Sequence, residues 1–127
     1  MSTIEEAAVS LLRTDAGVAA ITSKHYPLVS PQKETPPYTV YQVISAPELG
    51  IAEYVLPRIQ VACWDASYSG AVALANIVRA AFYGQHLTVL DVHFRSWIAN
   101  CMDGEPDLES GRFCRIVDVR LIYENPT

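Results

Sequence analysis

The chain has 127 residues, half of them apolar and 18% charged. That is the length of one ordinary domain and a globular composition, which excludes a disordered chain and a fold that needs metal or disulfide staples. The net charge of −5, with Lys24 and Lys33 as the sole lysines, argues against tracking a nucleic-acid backbone, which requires clustered cations.

The first segment reads as a helix. Thr3 and Glu6 have the capping-box spacing, with Ser2 as a competing cap. Glu5 and Glu6 suit the positive end of the helix dipole, and Ile4, Ala8, Leu11 and Leu12 form an apolar face. Asp15 reads as a second cap for a short turn over 16–21, loosened by Gly17. The opening residues lack a basic start before an apolar run, so no signal peptide is expected. No stretch approaches the ~18 apolar residues of a membrane span.

Residues 24–37 hold Pro27, Pro31, Pro36 and Pro37 and are expected to form an irregular surface linker. A first strand is expected over 38–45, rich in β-branched and aromatic residues, and a second over 58–64. In the second, Ile59, Val61 and Cys63 should face the core, with Arg58 and Gln60 outside. Ser67 or Ser69 caps the second and best helix, over 67–83. Its stripe is Ala71, Leu74, Ala75, Val78, Ala81 and Phe82, and Gly84 stands where a left-handed cap belongs.

A third strand region spans 87–100, bent or broken near Asp91. An acidic, turn-rich segment spans 101–111, and a last strand 112–123, where Phe113, Val117, Val119 and Leu121 alternate with Cys114, Asp118 and Arg120. The expected fold is a single α+β domain over 1–127. Its antiparallel sheet carries two main helices on one face, in the order α-β-β-α-β-β.

No phosphate loop, dinucleotide fingerprint or nucleophile elbow is present, and no enzyme, cofactor or metal is expected. Cys63, Cys101 and Cys114 show no CxxC spacing and read as free thiols of a reducing cytoplasm. Cys63 should be inert packing, with Cys101 the most exposed thiol. His25, His86 and His93 lack the usual spacing of metal ligands, although His86 and His93 can approach each other across a bent strand. Asp103, Glu105, Asp107 and Glu109 alternate along a loop that reads more simply as a solvated acidic turn than as a calcium site.

Tyr38, Tyr41, Tyr54, Trp64, Tyr68, Trp97 and Tyr123 suit strands and protein interfaces alike. The segment PELGIAEYVLP over 47–57 is more telling. A loop with this much apolar surface either folds over the core or meets a partner.

Taken in order, these segments resemble phage tail-completion, or tail-terminator, proteins of the head-to-tail joining type. The likeness runs from TDAGVAAI through HYPLVSPQKETPPYTVYQVIS and RIQVACWDASYSGAVALANIVRAAF to GRFCRIVDVRLIYE. Gln85-His86 after Gly84, where relatives often have another glycine-containing turn, and the loop over 46–57 depart from the pattern. The resemblance implies a structural, non-enzymatic subunit of a ring, commonly a hexamer. Such a ring caps the tail tube, docks the head-completion connector, and lets DNA pass without specific binding. Its implied partners are copies of itself, the major tail-tube protein and the connector, with no membrane. Its implied places are the host cytoplasm during assembly and then the virion tail. Contact residues are expected at the hairpin, Leu49, Ile51, Tyr54 and Val55, and in the acidic turn, Asp103, Glu105 and Asp107. The alternatives are a non-enzymatic accessory protein-binding module of the same fold class and a small thiol or metal protein.

Overall fold

A computed structural model describes residues 3–30, 34–45, 48–49 and 54–124. It is a mixed α+β structure in which three helices pack with one face of a single sheet. Helix α1 (Ile4–Thr14) starts where the cap is written: Thr3 Oγ1 accepts from the Glu6 N–H at 3.1 Å, and its hydroxyl donates to the Glu6 carboxylate at 3.2 Å. Asp15 caps α2 (Ala16–Ala19) through the Val18 N–H at 3.1 Å. Helix α3 (Tyr68–Phe82) is capped by Ser67, whose Oγ accepts from the Gly70 N–H at 3.0 Å. It ends at Gly84, whose φ of 59° is the left-handed turn that glycine adopts without strain. Gly17 has a use other than loosening its turn. A Cβ there would stand 2.9 Å from Ile77 Cγ2, so its absence lets α2 close on α3.

The strands are β1 (His25–Pro27), β2 (Tyr38–Ser45), β3 (Glu48–Leu49), β4 (Tyr54–Val55), β5 (Arg58–Asp65), β6 (Gln85–Val89), β7 (Val92–Asp103) and β8 (Phe113–Glu124). β8 is the spine, with β7 along one side and β5 followed by β4 along the other. β2 lies beyond β5, β1 forms one edge and β6 the other. β3 and β4 prolong the β2–β5 hairpin. Pro57 separates β4 from β5 because it has no N–H for the ladder, yet its carbonyl still accepts from the Leu121 N–H at 3.0 Å.

Strand alternation then builds the core. Ile59, Val61 and Cys63 of β5 and Val117, Val119 and Leu121 of β8 meet Leu74, Val78 and Phe82 of α3 and Ile4, Ala8 and Leu12 of α1. Truncating a buried leucine such as Leu74 to alanine typically costs about 2–5 kcal/mol. Ser96 is buried within this layer and donates to the Phe82 carbonyl at 2.7 Å, tying the end of α3 to β7.

The architecture differs from the expected α-β-β-α-β-β order in several places. The linker contributes β1, which pairs parallel to β2, so the sheet is mixed rather than wholly antiparallel. Its attachment is local: the Thr39 N–H donates to the Lys24 carbonyl and the Leu28 N–H to the Tyr41 carbonyl, both at 2.9 Å. The third strand region is a complete hairpin, β6–β7, closed by Leu90 and Asp91. The loop after β2 holds β3 and β4, and β7 runs on into the acidic segment as far as Asp103.

Candidate contact surfaces

With the helices on one face, the other face of the sheet carries the remaining half of each strand's side chains. Tyr38, Val40 and Gln42 of β2 and Gln60, Ala62 and Trp64 of β5 floor an open cleft of about 520 Å³. Its walls come from Leu28, Val29 and Ser30 after β1, and from Asp107 and Arg112 of the turn before β8. Tyr38 stacks on Trp64 at 6.3 Å between ring centroids. The Arg112 guanidinium lies 5.7 Å from the Tyr38 ring centre, and its Nη1 donates to Tyr38 Oη at 3.1 Å. Leu28 and Val29 are exposed at the cleft wall, and Trp97 and Met102 are exposed on β7. This is amphipathic, aromatic surface with a cation at its edge, the composition found at the centres of protein interfaces.

Further along this face, Arg58 Nη2 donates to Asp118 Oδ2 at 2.7 Å. Asp118 is only 1% exposed, and its Oδ1 and the Arg58 Nε are buried without a hydrogen-bond partner among the described residues. Asp118 alternates with the core residues of β8, as expected, and sits on the non-helical face. Arg58 covers it.

The acidic turn is built by its own carboxylates. Asp103 accepts from Arg115 Nη1 at 2.8 Å and from Tyr68 Oη at 3.0 Å, bracing the end of β7 against the start of α3. Asp107 exchanges two 3.0 Å backbone bonds with Arg112, and its Oδ1 accepts from the N–H groups of Glu109 and Ser110. The bonds from Ser110, foremost, hold the Asp107 carboxyl below its ordinary range. Glu105 is exposed. Asp107 therefore lines the cleft, while Asp103 is bonded to Arg115 and Tyr68.

At the hairpin, Leu49 pairs with Tyr54, and Val55 pairs with Glu48 on one side and Tyr123 of β8 on the other. Val55 is 5% exposed and packs at the hairpin's root. Ile51 lies outside the described residues. Sequence reading had singled out the aromatics Tyr38 and Trp64 but not Leu28, Val29 or Arg112 as their neighbours. The sole available signal was the clustering of turn residues on either side of strands, which leaves the pairing of those turns open.

The thiols are set for packing. Burial pushes the Cys63 thiol far above its ordinary range, and Cys114 up to about 11. Both are thus held protonated, the unreactive form. Cys101 is half-buried. Among the described residues, no group of three or more His, Cys, Asp or Glu could hold a metal ion.

No family model matches the chain, and no curated protein sequence does. Among solved structures it is similar to a chain from the virion of a native gene transfer agent particle. The two are 18% identical, with a TM-score of 0.76, over 96% of this chain and 95% of that one. At this identity the likeness shows a shared fold, and it extends over nearly the full length of both chains.

Proposed function

We propose that the chain is a structural subunit of a phage-like virion, and specifically a tail-completion protein. Copies assemble head-to-tail into a ring, a hexamer, that caps the tail tube and joins it to the head connector. The observation that carries this reading is the end-to-end likeness of fold to a chain of a virion particle. The order of sequence motifs resembling tail-completion proteins supports the finer assignment.

The molecule has parts that suit the role. The β2–β5 hairpin is prolonged by β3 and β4, with Leu49, Ile51 and Tyr54 proposed as contacts and Val55 anchoring its root. The helix-free sheet face offers the aromatic cleft, with Asp107 at its rim and Asp103 and Glu105 nearby in sequence. A head-to-tail interface closes into a ring when its rotation closes. The net charge of −5 would keep duplex DNA mobile in the lumen rather than bound. The protein would assemble in the host cytoplasm and remain in the virion tail. The buried, protonated thiols of Cys63 and Cys114 speak against these two as nucleophiles of a thiol enzyme.

The test is electron microscopy and native mass spectrometry of the purified protein with and without its tail tubes. Rings on tube ends are expected. A particle that stays monomeric throughout, with tube protein present, overturns the proposal.

A further inference from the structure

The chain has three histidines. His25 is buried and bonded to Thr39. The other two face each other on the exposed edge hairpin β6–β7, with Nε2 atoms 2.9 Å apart and ring centroids 4.8 Å apart. We propose that His86 and His93 form a two-imidazole clip for a borderline divalent transition-metal ion, of the class of Zn2+ or Ni2+.

The register makes the pairing a built feature of the ladder. His86 stands opposite Arg95 and Thr88 opposite His93, so the two histidines are diagonal neighbours on one face of paired strands. Both side chains are exposed, so an ion has open access and pays little desolvation beyond its own.

The spacing of the two nitrogens also suits an ion. Two neutral rings at this distance share one N–H between their Nε2 atoms, one donating and one accepting. A metal ion takes the place of that proton, provided both rings carry their remaining proton on Nδ1. The His93 Nδ1 lies 2.7 Å from Thr88 Oγ1, which in the Nδ1–H tautomer accepts that N–H and leaves the Nε2 lone pair for the ion. This is the outer hydrogen bond that metal-bound histidines ordinarily make. Nitrogens 2.0–2.1 Å from a tetrahedral ion lie about 3.3 Å apart, so the rings need open by only a few tenths of an ångström. Imidazole nitrogen suits Zn2+, Ni2+ and Cu2+ and is a poor match for Mg2+ or Ca2+. The remaining coordination positions fall to water.

The test is a titration of the intact protein with Zn2+ alone, followed in long-range 1H–15N spectra of the imidazoles at neutral pH. Saturable one-to-one shifts at His86 and His93 are expected, with His25 unmoved as the internal control. H86A and H93A should each abolish the response, while an unchanged His25 signal shows that the fold persists. Thr88→Val should weaken binding by about tenfold or more without changing stoichiometry. Zn2+ should raise the Tm of the wild type and leave that of H86A where it was. No shift at millimolar Zn2+, a response that survives H86A and H93A, or one lost in Cys101→Ser instead, overturns the proposal.

Discussion

A histidine with one ring nitrogen bonded and the other sealed from water has little room to take a proton. His25 Nδ1 lies 2.6 Å from Thr39 Oγ1, and its Nε2 is buried with no hydrogen-bond partner among the described residues. Burial, and then the charge of Arg13, lower its pKa to about 4, against about 6.5 in the unfolded chain. Between those values the unfolded chain takes up the proton and the folded one does not. Stability is therefore full above about pH 6.5 and falls as the pH drops toward 4, by an upper limit of about 3 kcal/mol. Urea midpoints measured from pH 7.5 to 4.5 should fall accordingly in the wild type, and the slope should flatten in His25→Gln. Leu90 is a second residue with a local conflict. It opens the β6–β7 turn at φ 56° and is 58% exposed, in a conformation that costs a non-glycine residue about 1–2 kcal/mol. Leu90→Gly should raise the midpoint of chemical denaturation, by the equivalent of about 1 kcal/mol in unfolding free energy after its added unfolded-state entropy is counted. An unchanged or lower midpoint would mean that the leucine is held by contacts worth more than the strain.

Elements were legible where their signals are local. Thr3, Asp15, Ser67 and Gly84 mark helix ends by chemistry that acts within one turn, and the apolar stripe of α3 faces the core as its spacing requires. The missed elements lack such signals. The turn at Leu90–Asp91 was marked by its aspartate alone, as a bend or break near Asp91 and not as a hairpin, and β1 ends on a proline and exists because β2 offers its free edge. The outer cleft was half legible. Its aromatics stood out as residue types, but Arg112 reaches Tyr38 across 74 positions. Asp118 shows the same limit in reverse, since its cover, Arg58, is 60 positions away on β5. That pairing also fixes a prediction. Arg58→Ala leaves a carboxylate that is almost fully buried without its cation, which should cost about 2–3 kcal/mol, because Arg58 itself is a third exposed. Replacing both by alanine should cost less than the sum of the singles in a double-mutant cycle, and strict additivity would show that the pair is not coupled.

At the scale of the whole molecule, the question is whether the hairpin is a foot for its own domain or a hand for the next copy. The two roles divide along its length. Val55, at the root, is buried between β3 and β8, so Val55→Glu puts a charge into the core and should lower stability by several kcal/mol, taking assembly with it trivially. Ile51 and Tyr54 were read from sequence as apolar surface beyond any core pattern, so Ile51→Glu with Tyr54→Glu is the informative pair of changes. The doubly substituted protein should keep the wild-type far-UV spectrum, and an unfolding free energy in urea within about 1 kcal/mol of wild type, as surface substitutions do. Ring formation on tail tubes, scored by microscopy and by native mass, should nevertheless fall at least tenfold. Loss of fold in the double variant would place these side chains in the domain's own packing. An intact fold with intact rings would move the subunit contact elsewhere, and the aromatic cleft of Tyr38, Trp64 and Arg112 would be the next surface to test by Trp64→Ala.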